Sequence, residues 1–110
     1  MTTIHDTAAV ASFSDEKMKK VNLYESRQMF CDVYCLKPGQ HQKDHTHGEN
    51  DKVYHQLTGV CRVRIGQTTC DLKPGMTAIA PAGVLHGVVN ASAEPATMLV
   101  IMAPHPHFKG

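Results

Sequence analysis

Short hydrophobic runs, several of them alternating with polar residues, follow one another along most of the chain. Runs of this length, separated by glycine, proline and other turn residues, are typical of β-strands. In residues 60–65, Cys61 and Val63 alternate with Arg62 and Arg64, as in a strand with one buried and one solvated face. About eight short strands predict an all-β fold, a small sandwich or barrel. The predicted strands are residues 21–26, 28–36, 52–57, 60–65, 68–72, 76–80, 85–89 and 97–102.

Turn and helix signals account for much of the remaining sequence. The tripeptide Lys-Pro-Gly occurs at residues 37–39 and 73–75, where proline and glycine suit the central positions of a tight turn. Gly66 and Gln67 are predicted to form a hairpin turn. A short helix is predicted at residues 14–20, because Ser14 suits an N-cap, acidic residues follow it, and lysines lie near the end.

Length and charge narrow the class of protein. With 110 residues and a formal net charge of +1, the chain is predicted to form one domain without a basic face for nucleic acid or anionic membranes. The sequence has neither a secretory signal pattern nor a membrane-spanning apolar run, so it predicts a soluble, cytoplasmic protein. The cysteines at positions 31, 35, 61 and 70 form no close Cys-x-x-Cys pair and are predicted to be reduced.

Three histidines provide the main candidate chemistry. His45 and His47 are two positions apart, so in an extended segment both rings project to the same side. His86, from another predicted strand, would complete a set of three imidazoles. Neutral imidazole suits several transition metals, and three such ligands leave positions open for water, substrate or oxygen. The predicted cofactor is one divalent transition metal: Fe, Mn, Ni, Zn or Cu.

Two spaced motifs resemble those of the cupins, which are small jelly-roll β-barrels. The first, G-(x)5-H-x-H-(x)3,4-E-(x)6-G, is matched by Gly39, His45, His47 and Gly59. The second, G-(x)5-P-x-G-(x)2-H-(x)3-N, is matched at every defined position, by Gly75, Pro81, Gly83, His86 and Asn90. The resemblance covers residues 21–104 and implies a barrel there, preceded by an N-terminal arm (1–20) and followed by a flexible tail (105–110).

The chain departs from the cupin pattern at the usual glutamate ligand. Lys52 occupies that position, and an ammonium group repels a divalent cation. One alternative is that a one-residue bulge turns Asp51 inward as the oxygen ligand. A second is that the three histidines hold the metal alone, while Lys52 points aside or binds an anionic ligand. A third is that Asp51 and Lys52 simply form a solvated turn and the start of a strand.

The register of residues 51–57 decides which side chains line the pocket. If Lys52 points inward, Tyr54 and Gln56 do so too, because strand residues two apart share a face. An inward Asp51 would instead bring Val53 and His55. Lys52, Tyr54 and Gln56 are the candidate substrate-binding residues, although Tyr54 suits packing equally well.

The resemblance implies two classes of function. One is a metal-dependent enzyme, dioxygenase-like or an isomerase, that acts on a small organic substrate. The other is a non-catalytic module that binds or senses a small anion, with or without metal. The resemblance also implies a homodimer.

The other five histidines are not predicted to join the metal centre, and His5 has no partner pattern. His41 is predicted to cap a loop, and His55 to lie on the outer face or in a dimer contact. His105 and His107 belong to the predicted tail, where adventitious nickel or copper binding is expected rather than a second site. Asn90 is predicted to be structural, as a turn former at a strand end.

Overall fold

Nine β-strands and one short helix form the fold in the computed structural model, which describes residues 3–108. The helix, α1, spans Thr7–Val10. The strands are β1 (Lys19–Glu25), β2 (Phe30–Leu36), β3 (His41–His45), β4 (Asp51–Thr58), β5 (Cys61–Ile65), β6 (Thr68–Leu72), β7 (Thr77–Ala80), β8 (His86–Val89) and β9 (Ala96–Ala103).

The strands form two antiparallel sheets, which together make the predicted jelly-roll barrel. The large sheet has five strands in the order β1-β2-β9-β4-β7, and the small sheet has four in the order β3-β8-β5-β6. All the paired strands run antiparallel. The all-β prediction is therefore confirmed.

Alternation along the strands explains which faces are buried. On β5, Cys61 and Val63 are buried, whereas Arg62 and Arg64 are exposed, as the sequence pattern predicts. Burial of the apolar face of each sheet against the other stabilises the barrel, at about 25 cal/mol per Å² of apolar surface removed from water. The core cluster consists of Met18, Tyr34, Leu36, Tyr54, Cys61, Val63, Leu72, Val88, Ala96, Met98 and Val100.

The predicted turns form where glycine is required. Gly39 and Gly75, which end the two Lys-Pro-Gly tripeptides, have φ of 83° and 92°. Residues other than glycine rarely adopt these backbone angles. Gly66 has φ of 60° in the predicted hairpin between β5 and β6. The four cysteines are free, as predicted.

The helix predicted at residues 14–20 is wrong. Only α1 is helical in that part of the chain, with the Asp6 side chain accepting backbone hydrogen bonds as its N-cap. Met18 is buried in the core, and Lys19 and Lys20 pair with β2, so β1 begins at Lys19. Sheet pairing and burial of Met18 override the favourable helix-end charges, which contribute only tenths of a kcal/mol to about 1 kcal/mol each.

Strand β3 is absent from the strand prediction, although His45 is expected in an extended segment. Its sequence, His-Gln-Lys-Asp-His, contains no aliphatic residue, so no hydrophobic alternation marks it. Backbone pairing with β8 makes it a strand.

The C-terminal segment contacts the barrel as far as the structure describes it. The His105 amide donates to the Arg27 carbonyl at 3.2 Å, and the His105 ring packs edge-on against Phe30, with ring centroids 5.7 Å apart. Residues 109 and 110 of the predicted tail lie outside the described residues. Within residues 3–108, no helix is long and apolar enough to span a membrane.

Candidate metal centre

Three histidine side chains converge at one end of the barrel. His45 ends β3 and pairs directly with His86, the first residue of β8, while His47 follows in the loop after β3. The ring centroids are 4.3 Å apart for His45 and His86, 4.8 Å for His45 and His47, and 5.6 Å for His47 and His86. One ring nitrogen from each histidine lies within 4.8 Å of the others. The structure therefore brings together the three predicted histidine ligands.

Backbone carbonyls fix the orientation of two of these rings. His45 Nδ1 lies 2.7 Å from the Lys43 carbonyl oxygen, and His86 Nδ1 lies 2.9 Å from that of Val84. A carbonyl only accepts, so each Nδ1 carries the proton and each Nε2 keeps its lone pair. Histidine ligands in metal sites are oriented by the same kind of bond.

The local environment keeps the imidazoles neutral. Burial lowers the pKa of His47 to about 4, and the positive charges of His45 and Lys52 add to the effect. Burial also lowers the pKa values of His45 and His86, against the hydrogen bonds to Lys43 and Val84, which raise them. Only the neutral imidazole has a lone pair to give to a metal.

An unpartnered nitrogen provides a test of whether a metal fits. His86 is 1% exposed, and its Nε2 has no hydrogen-bond partner among residues 3–108. A buried polar atom without a partner costs about 1–3 kcal/mol, so native structures rarely leave one. A cation held with His45 and His47 would satisfy this atom. The donor set therefore fits a divalent transition metal.

Lys52 points into the barrel rather than into solvent. It is 1% exposed, and its Nζ lies 5.3 Å and 5.1 Å from the ring centroids of Tyr34 and Tyr54. The ammonium group donates to Gln42 Oε1 at 3.0 Å. Burial, with a contribution from the Lys20 charge, lowers the pKa of Lys52 to about 7. The register is thus the one with Lys52 inward.

Asp51 lies outside the histidine cluster. Its side chain is on the exposed face of β4, where Oδ1 accepts a hydrogen bond from the Ala82 amide at 2.9 Å. This contact links β4 to the loop before β8. The strand has no bulge at this point that would turn Asp51 inward, since Asp51 and Lys52 pair in regular succession with Ala103 and Met102.

Tyr54 and Gln56 follow Lys52 on the inward face, and both are fully buried. The Tyr54 ring lies 6.2 Å from that of His86, and its hydroxyl has no hydrogen-bond partner among the described residues. Burial raises the pKa of Tyr54, so the hydroxyl keeps its proton. Gln56 lies further along β4, and its Nε2 donates to the Thr58 carbonyl at 2.9 Å.

A cavity of about 500 Å³ opens beside the cluster. His45, His47 and Lys52 line it, together with several residues that the sequence reasoning missed. The alternation of β2 could have identified two of these, Asp32 and Tyr34, since they share a face with Leu36. The hydrogen bond between Gln42 and Lys52 joins distant segments and leaves no signal in the sequence. The missed residues of the cavity include Lys20, Asn22, Asp32, Tyr34, Gln42 and His107.

The remaining candidate residues have structural positions. Asn90 is fully buried and donates to the Leu36 and Glu94 carbonyls at 2.9 and 2.8 Å, so its predicted structural role is confirmed. His41 is an exposed residue at the start of β3. His55 Nδ1 lies 2.7 Å from the Thr77 hydroxyl, on the opposite face of β4 from Lys52.

Comparison with known proteins agrees with this architecture. The cupin domain family matches residues 32–102 of the chain. The crystal structure of TT1209 from Thermus thermophilus shares 48% identity and a TM-score of 0.92, and the match covers 96% of this chain and 100% of that chain. No functionally curated protein sequence matches.

More distant structures share the fold. An uncharacterised conserved protein with a double-stranded β-helix domain from Klebsiella pneumoniae is 23% identical, with a TM-score of 0.88 over 99% of this chain and 96% of that one. An RmlC-like cupin from Desulfovibrio desulfuricans is also 23% identical, with a TM-score of 0.81 over 94% and 98%. The chain belongs to the cupin domain family, and its barrel carries a three-histidine cluster that could bind a metal.

Proposed function

We propose that this cupin is a metal-dependent enzyme, dioxygenase-like in its chemistry, that acts on a small organic anion at the barrel mouth. His45, His47 and His86 hold one divalent transition metal, and Lys52 binds the anion beside it. The observation that carries the proposal is the buried Nε2 of His86, which has no hydrogen-bond partner in the described part of the chain and lies close to two other imidazoles.

The ligand set supports an exchangeable metal site. Three neutral imidazoles form an incomplete coordination sphere, and Asp51 is engaged elsewhere, with the Ala82 amide. When bound, the metal would act as a Lewis acid for a chelating substrate and supply redox chemistry toward oxygen. Neutral ligands leave its charge unbalanced, which favours an anionic substrate.

Lys52 supplies a second reason to expect an anion. An ammonium group has three N–H donors. Gln42 accepts one of them, and the rings of Tyr34 and Tyr54 face the charge without accepting a conventional hydrogen bond. The remaining donors are available to a carboxylate in the same cavity as His45 and His47. A carboxylate there would favour the charged form of Lys52.

Tyr54 is placed to orient the same ligand. Its ring lies 6.2 Å from that of His86, and its buried, protonated hydroxyl lacks a partner among residues 3–108, so it can donate a hydrogen bond to a ligand. The apolar surroundings strengthen such a bond by excluding water. Gln56 does not line the cavity, and its amide donates to the Thr58 carbonyl, so we assign it a structural role.

The first test is the metal content of protein made without a histidine tag, measured by mass spectrometry. We expect about one equivalent in the wild type and none in His47→Ala. Loss of a residue that only orients a ligand lowers metal affinity by about 10–100-fold, and loss of the ligand itself should lower it further. Absence of bound metal in the wild type, even after reconstitution, would reject the metal-dependent function.

The second test measures whether Lys52 contributes to anion binding once the metal is bound. Calorimetric titration of metal-loaded protein with malonate, a small dicarboxylate probe, should show binding that Lys52→Met weakens at least tenfold. An exposed lysine that does not line the cavity supplies the control, because Lys73→Met should leave malonate binding unchanged. Malonate binding without oxygen uptake on any of a panel of hydroxy and oxo acids would indicate a non-catalytic binding protein instead.

We also propose that the protein is a homodimer. In support, β7 is one of the two edge strands of the large sheet, and it leaves Ile79 57% exposed. An exposed apolar residue on an edge strand favours association. Sedimentation velocity at micromolar concentration should show a dimer that Ile79→Lys dissociates, and a monomeric wild type would contradict the proposal.

A further inference from the structure

A β-bulge in β3 orients one of the histidine ligands. Gln42 pairs with Val88 and His45 with His86, so two residues of β3, Lys43 and Asp44, lie opposite Gly87 alone. Two residues against one is the arrangement of a β-bulge.

Without the bulge, Gln42 and His45 could not both face the cavity. Gln42 and His45 both line the central cavity, although they are three residues apart. In a regular strand, residues separated by an odd number face opposite sides of the sheet. The extra residue therefore lets β3 present both the partner of Lys52 and a metal ligand to the barrel interior.

The same bulge also fixes the His45 ring. The carbonyl oxygen of Lys43, a bulge residue, lies 2.7 Å from His45 Nδ1 and holds the proton on that nitrogen. A change in the bulge would move the ring and alter the direction of its Nε2 lone pair.

Contacts on the outer face of the small sheet hold the bulge in place. Asp44 lies over Gly87 so closely that a Cβ on residue 87 would be 3.0 Å from both Asp44 Cα and N, and closer still to Oδ1. Arg64 pairs with Gly87 across β5 and β8, and its Nη1 donates to Asp44 Oδ2 at 2.9 Å. Glycine thus provides the space in which the Arg64 and Asp44 side chains meet.

We propose that Arg64, Asp44 and Gly87 form an outer-face clasp that positions His45 relative to His86. These are positioning residues, which act on the metal only through the bulge. The inference rests on the proposed metal function, which supplies the ligand that the clasp serves. The residues of the clasp lie on the outer face of the small sheet, whereas the histidine cluster lies on its inner face.

The matched control is the neighbouring ion pair on the same strand. Arg62 Nε lies 2.9 Å from Asp71 Oδ1, and the side chains of this pair are exposed by 50% and 49%, against 45% and 42% for Arg64 and Asp44. Arg62→Gln and Arg64→Gln therefore remove equivalent surface charges, but only Arg64→Gln releases the bulge. Similar small changes in Tm are expected for both.

The experiment measures Co²⁺ affinity and the visible Co²⁺ spectrum for the wild type, Arg62→Gln, Arg64→Gln and Asp44→Ala. Arg64→Gln and Asp44→Ala should each lower the affinity about tenfold and shift the spectrum, as loss of an outer-shell partner does. Arg62→Gln should match the wild type. Gly87→Ala should have a larger effect, but the conclusion does not depend on its folding.

A metal-free measurement separates this inference from the proposed function. The imidazole ¹⁵N shifts of His45 and His86 in apo protein should move in Arg64→Gln and stay fixed in Arg62→Gln. If they move while the wild type binds no Co²⁺, the clasp stands and the metal function fails. Unchanged shifts and unchanged Co²⁺ affinity in both Arg64→Gln and Asp44→Ala would overturn the clasp.

Discussion

Two groups of histidines lie near the barrel mouth, and they differ in what their ring nitrogens contact. In the barrel cluster, the Nδ1 atoms of His45 and His86 bond to carbonyls two residues earlier in the chain, and the Nε2 atoms converge. In the tail, His105 Nδ1 accepts the His107 amide at 3.0 Å, and its Nε2 lies 3.5 Å from Glu25. Both nitrogens of His105 are therefore already engaged.

The difference shows that close spacing in sequence does not by itself bring free ring nitrogens together. Both groups contain a His-x-His pair, at residues 45 and 47 and at 105 and 107. Among residues 3–108, only the first is joined by a third imidazole from another strand. Burial lowers the pKa values of the three rings in that cluster. A preorganised set of lone pairs binds a metal without the cost of rearranging its ligands.

The largest expected effect comes from removing one histidine from each group. His86→Ala should abolish stoichiometric metal binding, because it deletes a ligand that is already oriented. His107→Ala, in the same cavity wall but outside the cluster, should leave one equivalent bound. Mass spectrometry after dialysis against a weak chelator gives the metal content.

Equal loss of metal from His86→Ala and His107→Ala would show that the two groups of histidines do not differ in metal binding. Circular dichroism of each apo protein is the control for folding, since His86 is buried and its removal leaves a cavity.

A second test removes the charge of Lys52, which lies beside the barrel cluster. Lys52 has a pKa of about 7 in the folded protein, against an ordinary value of 10.5, so between these values the unfolded chain binds more protons. Stability of the apo wild type should therefore rise as the pH increases through this window. Lys52→Met lacks this dependence and should be more stable than the wild type at pH 6, by on the order of 5 kcal/mol.

Urea unfolding at pH 6 and at pH 10, in the presence of a chelator, measures this difference. We expect the advantage of Lys52→Met to shrink at the higher pH, where Lys52 is neutral in the folded state. Lys73→Met is the exposed control. An advantage that is the same at both pH values would show that Lys52 is not the group that titrates.

Much of the site could be predicted because it depends on local patterns. The Lys-Pro-Gly turns, the alternation of β5 and the spacing of His45 and His47 each arise from the geometry of a few consecutive residues. The pairing of His45 with His86 required the cupin spacing, since no local pattern identifies the partner of a strand.

The rest could not be predicted because it depends on contacts between distant segments. Strand β3 has no hydrophobic alternation, and its bulge is set by Gly87 and Arg64 on two other strands. The sequence allows two registers for Lys52, and the buried Tyr34 and Tyr54 rings accommodate its stem and charge inside the barrel. The helix predicted at residues 14–20 is wrong because the lysines at its end pair with β2.

The smallest expected effect comes from removing the tail histidines together. A chain that ends at Pro104 loses the packing of His105 against Phe30 and the contact with Glu25, so its free energy of unfolding should fall by about 1 kcal/mol. Its metal content should remain at one equivalent, because the three ligands and the carbonyls that orient two of them all precede residue 105. Loss of the metal on truncation would assign the tail to the metal centre and remove the distinction between the two histidine groups.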